Sequence, residues 1–174
     1  TQAAERAIES YRTQFDQGGG GTSSKKDLAL LLLLGRLNER IGNLDEAADY
    51  CRVIFETAMS ARQASQQGAG GVDAAYVNRT LDGLQEFKDE VETKIIERDQ
   101  EHIDAVVAKA NQAPLEELME ELKARGAHLV TQQKLREMLK AASTGQAVDE
   151  EETRAAPGLW ERIRNMFRGE QGPS

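Results

Sequence analysis

The distribution of helix-breaking residues limits what this chain can fold into more than any other feature. All three prolines lie at position 114 or later, so only glycine interrupts the first 113 residues. Four consecutive glycines occupy positions 18–21, and three more occur between 68 and 71. Glycine runs have too much conformational freedom in the unfolded chain to remain helical. They therefore separate segments that are each long enough for several turns of helix.

Each segment repeats its apolar residues every three or four positions, which is the spacing of one helical face. Helices are predicted at residues 2–17, 25–41, 44–66, 73–111, 114–126 and 131–142, with a last one at 157–168. Gly42 suits the left-handed residue that ends a helix, and Asp73 and Thr131 suit helix caps. Because no segment has the alternation of a strand, the fold class is predicted to be all-α.

The predicted organisation has four parts. Residues 1–72 form stacked antiparallel helical hairpins, and residues 73–142 form one long helix followed by a short helical pair. Residues 143–156 are polar and acidic, which is typical of a linker. Residues 157–174 contain an amphipathic tail helix.

The second and third predicted helices are expected to bury most of their apolar residues. Positions 30–34 are all leucine, so the second helix should be covered on most sides. The third helix is expected to point six residues inward: Ala47, Cys51, Ile54, Phe55, Ala58 and Met59.

Residues 28–61 resemble a tetratricopeptide repeat, a helical hairpin of about 34 residues. Leu34 and Gly35 match the usual Leu-Gly pair, and residues 42–47 match the characteristic turn with the small Ala47 at the helix crossing. Ile54 falls at the later small-residue position. The resemblance therefore assigns repeat packing to five residues: Leu34, Gly35, Gly42, Ala47 and Ile54.

The sequence also departs from this repeat pattern. Asn38 stands where an aromatic residue is usual, so a tyrosine there is expected to be tolerated or mildly stabilising. Met59 replaces the closing proline, which lets the second helix of the hairpin continue. Residues 4–15 look like the second half of a preceding repeat, so that the resemblance covers about one and a half repeats over residues 4–61. It implies a groove that binds a peptide or helix of another protein.

Composition argues against several classes of function. The net charge of −8 opposes contact with phosphate backbones, so nucleic-acid binding is not expected. Cys51 is the single cysteine, so an intramolecular disulfide is excluded and an intracellular, reducing compartment is expected. The longest apolar run has seven residues, too few to span a bilayer.

No catalytic residue, metal ligand or cofactor site is predicted. Cys51, His102 and His128 are too few and too scattered for a zinc site, and a Cys-His nucleophile pair has no supporting feature. Neither glycine cluster follows a strand or precedes Gly-Lys-Ser/Thr, so a phosphate-binding loop is not indicated. Residues 86–104 hold eight carboxylates against three basic residues. This acidic segment is either a solvated helix face or a contact surface for a basic partner.

The tail helix is the most suggestive segment for binding. Trp160, Ile163 and Phe167 share one face, and Arg162 and Arg164 supply positive charge beside it. Three interpretations are open: the tail covers the chain's own core, it docks in a groove of another protein, or it makes weak contact with a membrane surface.

The function predicted from these patterns is a non-catalytic interaction or scaffold module that binds a partner peptide or helix and belongs to a larger complex. A permanent structural subunit of a large assembly is the alternative. A membrane-surface adaptor that uses the tail helix is the third.

Overall fold

A computed structural model describes residues 25–68 and 73–144, together with positions 6, 7, 9, 10, 13 and 163. Six helices follow one another over the two long ranges: α1 (Lys25–Ile41), α2 (Leu44–Gln66), α3 (Ala74–Arg98), α4 (Gln100–Val107), α5 (Leu115–Ala124) and α6 (Leu129–Thr144). The described part of the chain contains no strand, so the fold is all-α. Residues 1–91 and 92–174 form two compact units, and the boundary falls within α3.

In the first unit, α1 and α2 form a helical hairpin with a connection of two residues. Gly42 has a φ of +86°, the left-handed conformation that glycine adopts without a Cβ clash. The N–H of Asn43 donates to the carbonyl of Asn38 at 2.9 Å, and the N–H of Gly42 donates to that of Glu39 at 3.2 Å. These two bonds are a Schellman motif, which ends α1 and reverses the chain.

The inner face of α2 differs from the prediction at two positions. Ala47, Cys51, Ile54, Ala58 and Ala61 are buried, at spacings of four and three. Phe55 and Met59 were expected inward but are 51% and 40% exposed. Each follows a buried residue by one position, which rotates it about 100° away from the buried stripe. Leu33 on α1 is also exposed, because a run of five leucines extends beyond one helical face.

Asp73 caps α3 as predicted, since its carboxylate accepts the N–H of Ala75 at 3.1 Å. The long helix predicted from residue 73 to residue 111 is divided at Asp99 and ends earlier than predicted. α3 ends at Arg98, Asp99 forms a turn with φ −86° and ψ 5°, and α4 continues only to Val107. The N–H groups of both His102 and Ile103 donate to the carbonyl of Asp99, at 3.0 and 3.1 Å.

The second unit packs α4, α5 and α6 around one apolar cluster. Its buried members are Ile96, Ile103, Val106, Val107, Leu118, Met119, Leu122, Ala127, Leu135, Met138, Leu139 and Ile163. Pro114 is the residue before α5, with φ −67° and ψ 154°, and Gly126 ends this helix with a φ of +82°. A second Schellman motif joins Ala127 to Leu122 and Gly126 to Lys123.

Among the described residues, no helix combines the length and apolarity that crossing a membrane requires.

Candidate interaction surfaces

The five residues assigned to repeat packing all lie in the α1–α2 hairpin. Leu34, Ala47 and Ile54 are buried, Gly42 forms the turn, and Gly35 lies where α1 meets its neighbours. A Cβ built on Gly35 would come 2.8 Å from Phe87 Cε1 and 3.2 Å from Tyr50 Cβ. The absence of a side chain at Gly35 therefore lets α1 approach α2 and α3 at the same point.

Arg36 covers this crossing from the solvent side. Its guanidinium carbon lies 4.4 Å from the centre of the Phe87 ring, at a distance suited to a cation–π contact. The same side chain donates to the carboxylate of Glu90 on α3. Both charged groups are partly exposed, so the ion pair contributes little to stability. Its main effect is to orient α1 relative to α3.

Asn38 is a buried polar residue, with 1% of its surface exposed. Its Nδ2 donates to the carbonyl oxygen of Leu34 at 2.9 Å, and its Oδ1 accepts from Asn43 Nδ2 at 3.3 Å. Asn38 and Asn43 are therefore joined twice, once by the backbone hydrogen bond of the Schellman motif and once by their side chains. This site argues against the expectation that tyrosine is tolerated, because a ring would need space that the turn does not leave.

The exposed side chains of Phe55 and Met59 form a surface that we call the α2 apolar flank. The two residues are one helical turn apart, so their side chains are neighbours. Tyr50, which faces the Gly35 crossing, is about 140° away from Phe55 around the helix. The flank is therefore on a different side of α2 from the crossing.

Arginines border this flank at both ends. Arg52 precedes Phe55 by three residues, and Arg62 follows Met59 by three; both are exposed. Arg52 lies 3.5 Å from Asp49 and 3.8 Å from Glu56 in exposed pairs. Such pairs contribute little and exchange readily with an incoming carboxylate. Arg62 places a cation at one end of the flank, and Arg52 places at the other end a cation that it shares with Asp49 and Glu56. The flank therefore suits an apolar ligand that carries an acidic residue near Arg62.

Comparisons of the chain with protein-family models, with curated proteins and with solved structures find no match. The α2 apolar flank therefore has to be interpreted from its own chemistry.

A second polar site, in the second unit, was not predicted. Asp99 is buried, and its Oδ2 accepts the backbone N–H of His128 at 2.8 Å and the hydroxyl of Thr131 at 2.7 Å. Its Oδ1 accepts from Arg98 Nε at 3.0 Å. Thr131 was expected to cap the helix predicted at residues 131–142, but α6 begins at Leu129 and the Asp99 carboxylate lies against its first turn.

The electrostatics of Asp99 follow from these donors. Burial raises the pKa of its carboxyl group, but the hydrogen bonds from Thr131, His128 and Arg98 together outweigh burial and hold the pKa below its ordinary value of 3.8. The carboxylate is therefore ionised at neutral pH and stabilises the positive end of the α6 dipole. Asp99 thus belongs to the interior and not to an acidic contact surface. Among the described residues, no group of three or more histidines, cysteines and carboxylates could hold a metal ion.

Of the five predicted tail residues, the structure describes only Ile163. It is helical, has no exposed surface, and is part of the apolar cluster of the second unit. Trp160, Arg162, Arg164 and Phe167 lie outside the described residues. The position of Ile163 favours the interpretation in which the tail covers the chain's own core.

Sequence reasoning missed the α2 apolar flank because it assigned Phe55 and Met59 to the core. A signal was nevertheless present in the sequence. The small residues Ala47, Cys51, Ala58 and Ala61 already complete a stripe with Ile54 at spacings of four and three. Large side chains one position beyond such a stripe lie at its edge, where a close helix crossing leaves no room for them.

Proposed function

We propose that the chain is a non-catalytic protein-binding module that holds a helix or an extended peptide of a partner protein against the α2 apolar flank. The observation that carries this proposal is the exposure of Phe55 and Met59, at 51% and 40%, on a helix whose inner face is fully packed. Exposed large apolar side chains placed together are typical of contact sites.

The energetics of the flank suit a ligand of modest affinity. Complete burial of a phenylalanine or methionine contributes roughly 1.5–3 kcal/mol, and each of these side chains has about half of its surface left to bury. Phenylalanine gives a rigid anchor, whereas methionine adapts its shape to different ligands. Ala47, Ile54 and Ala58 fix the same helix from the inside. The flank is thus preorganised, so a ligand does not need to order it on binding.

The chemistry of the partner follows from the apolar pair and from Arg62 at its border. An apolar stripe matching the spacing of Phe55 and Met59, with a carboxylate able to reach Arg62, would complement the flank in shape and in charge. The resemblance of residues 28–61 to a tetratricopeptide repeat supports the same class of function. Cys51 is buried, and as the single cysteine it suits a reducing, intracellular compartment.

A selection of displayed helical peptides against the whole chain tests the proposal, with affinities measured by fluorescence anisotropy. The variant that carries Phe55→Ser and Met59→Ser should bind the selected peptides at least about tenfold more weakly, a difference of about 1.4 kcal/mol. Its helix content by circular dichroism should be unchanged, because neither side chain belongs to the core. Arg62→Glu should lower the affinity of the chain for those selected peptides that carry acidic residues.

Leu129→Ser is the matched control, since Leu129 is an exposed apolar residue of the second unit. It should leave the affinity unchanged. The proposal is wrong if no peptide is selected, or if the double variant binds the selected peptides as tightly as the unchanged chain does.

A further inference from the structure

The apolar cluster of the second unit includes Ile163, a residue well beyond the end of α6 in the sequence. Ile163 follows the end of α6 at Thr144 by 19 residues, yet it has no exposed surface and packs in the cluster of α4, α5 and α6. Ile163 is itself helical.

Helical spacing then determines which neighbours of Ile163 face the same side. In the helix predicted for residues 157–168, Trp160 precedes Ile163 by three residues and Phe167 follows it by four, which places both on the face of Ile163. Arg162 and Arg164 are adjacent to Ile163 in sequence and lie about 100° to either side of it. The sequence therefore predicts an apolar face with a cation along each edge for this helix.

Charge complementarity supports the same arrangement. α4 and α5 carry six carboxylates: Glu101, Asp104, Glu116, Glu117, Glu120 and Glu121. Glu116 pairs with Arg136, and Glu121 pairs with Lys109 and Arg125. Cations at the edges of a helix that seats on this unit would meet opposite charge. The 12 residues between Thr144 and Pro157 span at most about 40 Å when extended, which is ample for the segment to reach the unit. A short linker of this kind also gives an effective concentration in the millimolar range.

We propose that the second unit is a helix-binding groove whose occupant is the chain's own tail, with residues 157–168 docked in cis and anchored by Ile163. Trp160 and Phe167 extend the contact to either side of that anchor. Met119 and Met138 lie in the same buried cluster as Ile163, and methionine adapts its shape to its neighbours. The groove is separate from the α2 apolar flank, so this proposal does not depend on the proposed function.

Trp160 is the only tryptophan and reports the docking directly in the full chain. Its emission should be blue-shifted, and acrylamide should quench it several-fold less efficiently than it quenches the free peptide of residues 157–174. Both values should be independent of chain concentration. Ile163→Glu should move them to those of the peptide, whereas the matched control Ile163→Val should not.

Because Ile163→Glu could also unfold the second unit, a pair of charge reversals gives an independent measurement. Arg162→Glu with Arg164→Glu removes no core side chain. It should increase acrylamide quenching of Trp160 at low salt, and added salt should reduce the difference from the unchanged chain.

Four results would overturn the proposal. Peptide-like emission in the full chain means that the tail is not docked. Burial of Trp160 that increases with chain concentration means that the occupant is the tail of a second copy. A blue shift that requires vesicles of anionic phospholipid means that the tail binds a membrane surface. Unchanged quenching in both Ile163→Glu and the charge-reversal pair means that neither the anchor nor the edge charges hold the segment.

Discussion

Gly35 lies against Phe87 so closely that a methyl group on its Cα would be 2.8 Å from Cε1 of the ring. The ring is fully buried, and Tyr50 Cβ, 3.2 Å from the same methyl position, is attached to the backbone of α2. An added methyl group therefore requires the buried ring and α2 to shift. Leu34 and Gly35 form the Leu-Gly pair of the repeat pattern. Of the two, Gly35 is the one that lets α1 approach α2 and α3 closely, because it has no side chain.

Gly35→Ala is expected to destabilise the first unit by about 1–3 kcal/mol, because the added methyl group overpacks the crossing. Urea unfolding followed by circular dichroism measures the change.

Gly83→Ala is the control for that substitution. Gly83 is also a helical glycine, but a Cβ there meets nothing within 4 Å. Alanine should therefore stabilise α3 by about 0.5–1 kcal/mol through helix propensity alone. A gain in stability for both variants would show that the crossing at Gly35 is looser than described.

Ala47→Leu should also destabilise the hairpin by about 1–3 kcal/mol, because Ala47 is completely buried where α2 meets α1. Ala29→Leu is its counterpart on an exposed position of α1 and should change the stability by less than about 0.5 kcal/mol. Equal melting temperatures for the two variants would contradict the buried position of Ala47.

The repeat pattern and the structure lead to opposite expectations for the stability of Asn38→Tyr. The pattern favours an aromatic residue at this position, whereas the structure has a buried amide that bonds to Leu34 and Asn43. We expect a loss of about 1–3 kcal/mol from overpacking and from the missing hydrogen bonds. Asn38→Ala, which removes only the bonds, should cost less. A tyrosine variant that is as stable as the unchanged chain would favour the pattern.

Asp99 makes stability depend on pH with a defined sign. Its pKa in the folded chain is lower than the ordinary 3.8, so the unfolded chain binds the proton more tightly. The stabilisation is complete above pH 3.8 and is lost as the pH falls through the lower pKa of the folded state. Thermal melts of the second unit should show this loss.

Asp99→Asn measures how much the negative charge of Asp99 contributes to the free energy of unfolding. It should cost about 1.5–3 kcal/mol at pH 7, since the hydrogen bonds of Thr131 and His128 no longer end on a charged group. The difference from the unchanged chain should shrink as the solution is acidified below pH 3.8. A constant difference across this range would mean that the charge of Asp99 does not stabilise the fold.

The limits of α1 and α2 could be predicted from the sequence because their causes are local. Gly42 ends α1 through its own left-handed conformation, and glycine ends the next segment near residue 68. Asp73 starts α3 through a hydrogen bond to an N–H two residues away. Such signals act within one turn of the chain, so a single sequence contains all of the information that they require.

Tertiary structure decided the features on which the proposals depend. Asp99, where α3 ends, accepts hydrogen bonds from residues 128 and 131, about 30 positions later, and no local pattern specifies that meeting. Phe55 is exposed because the stripe of small residues takes the crossing, and Ile163 is buried because the second unit receives it. Periodicity identifies which residues share a helical face. Only the packing of one helix against another determines which faces are covered.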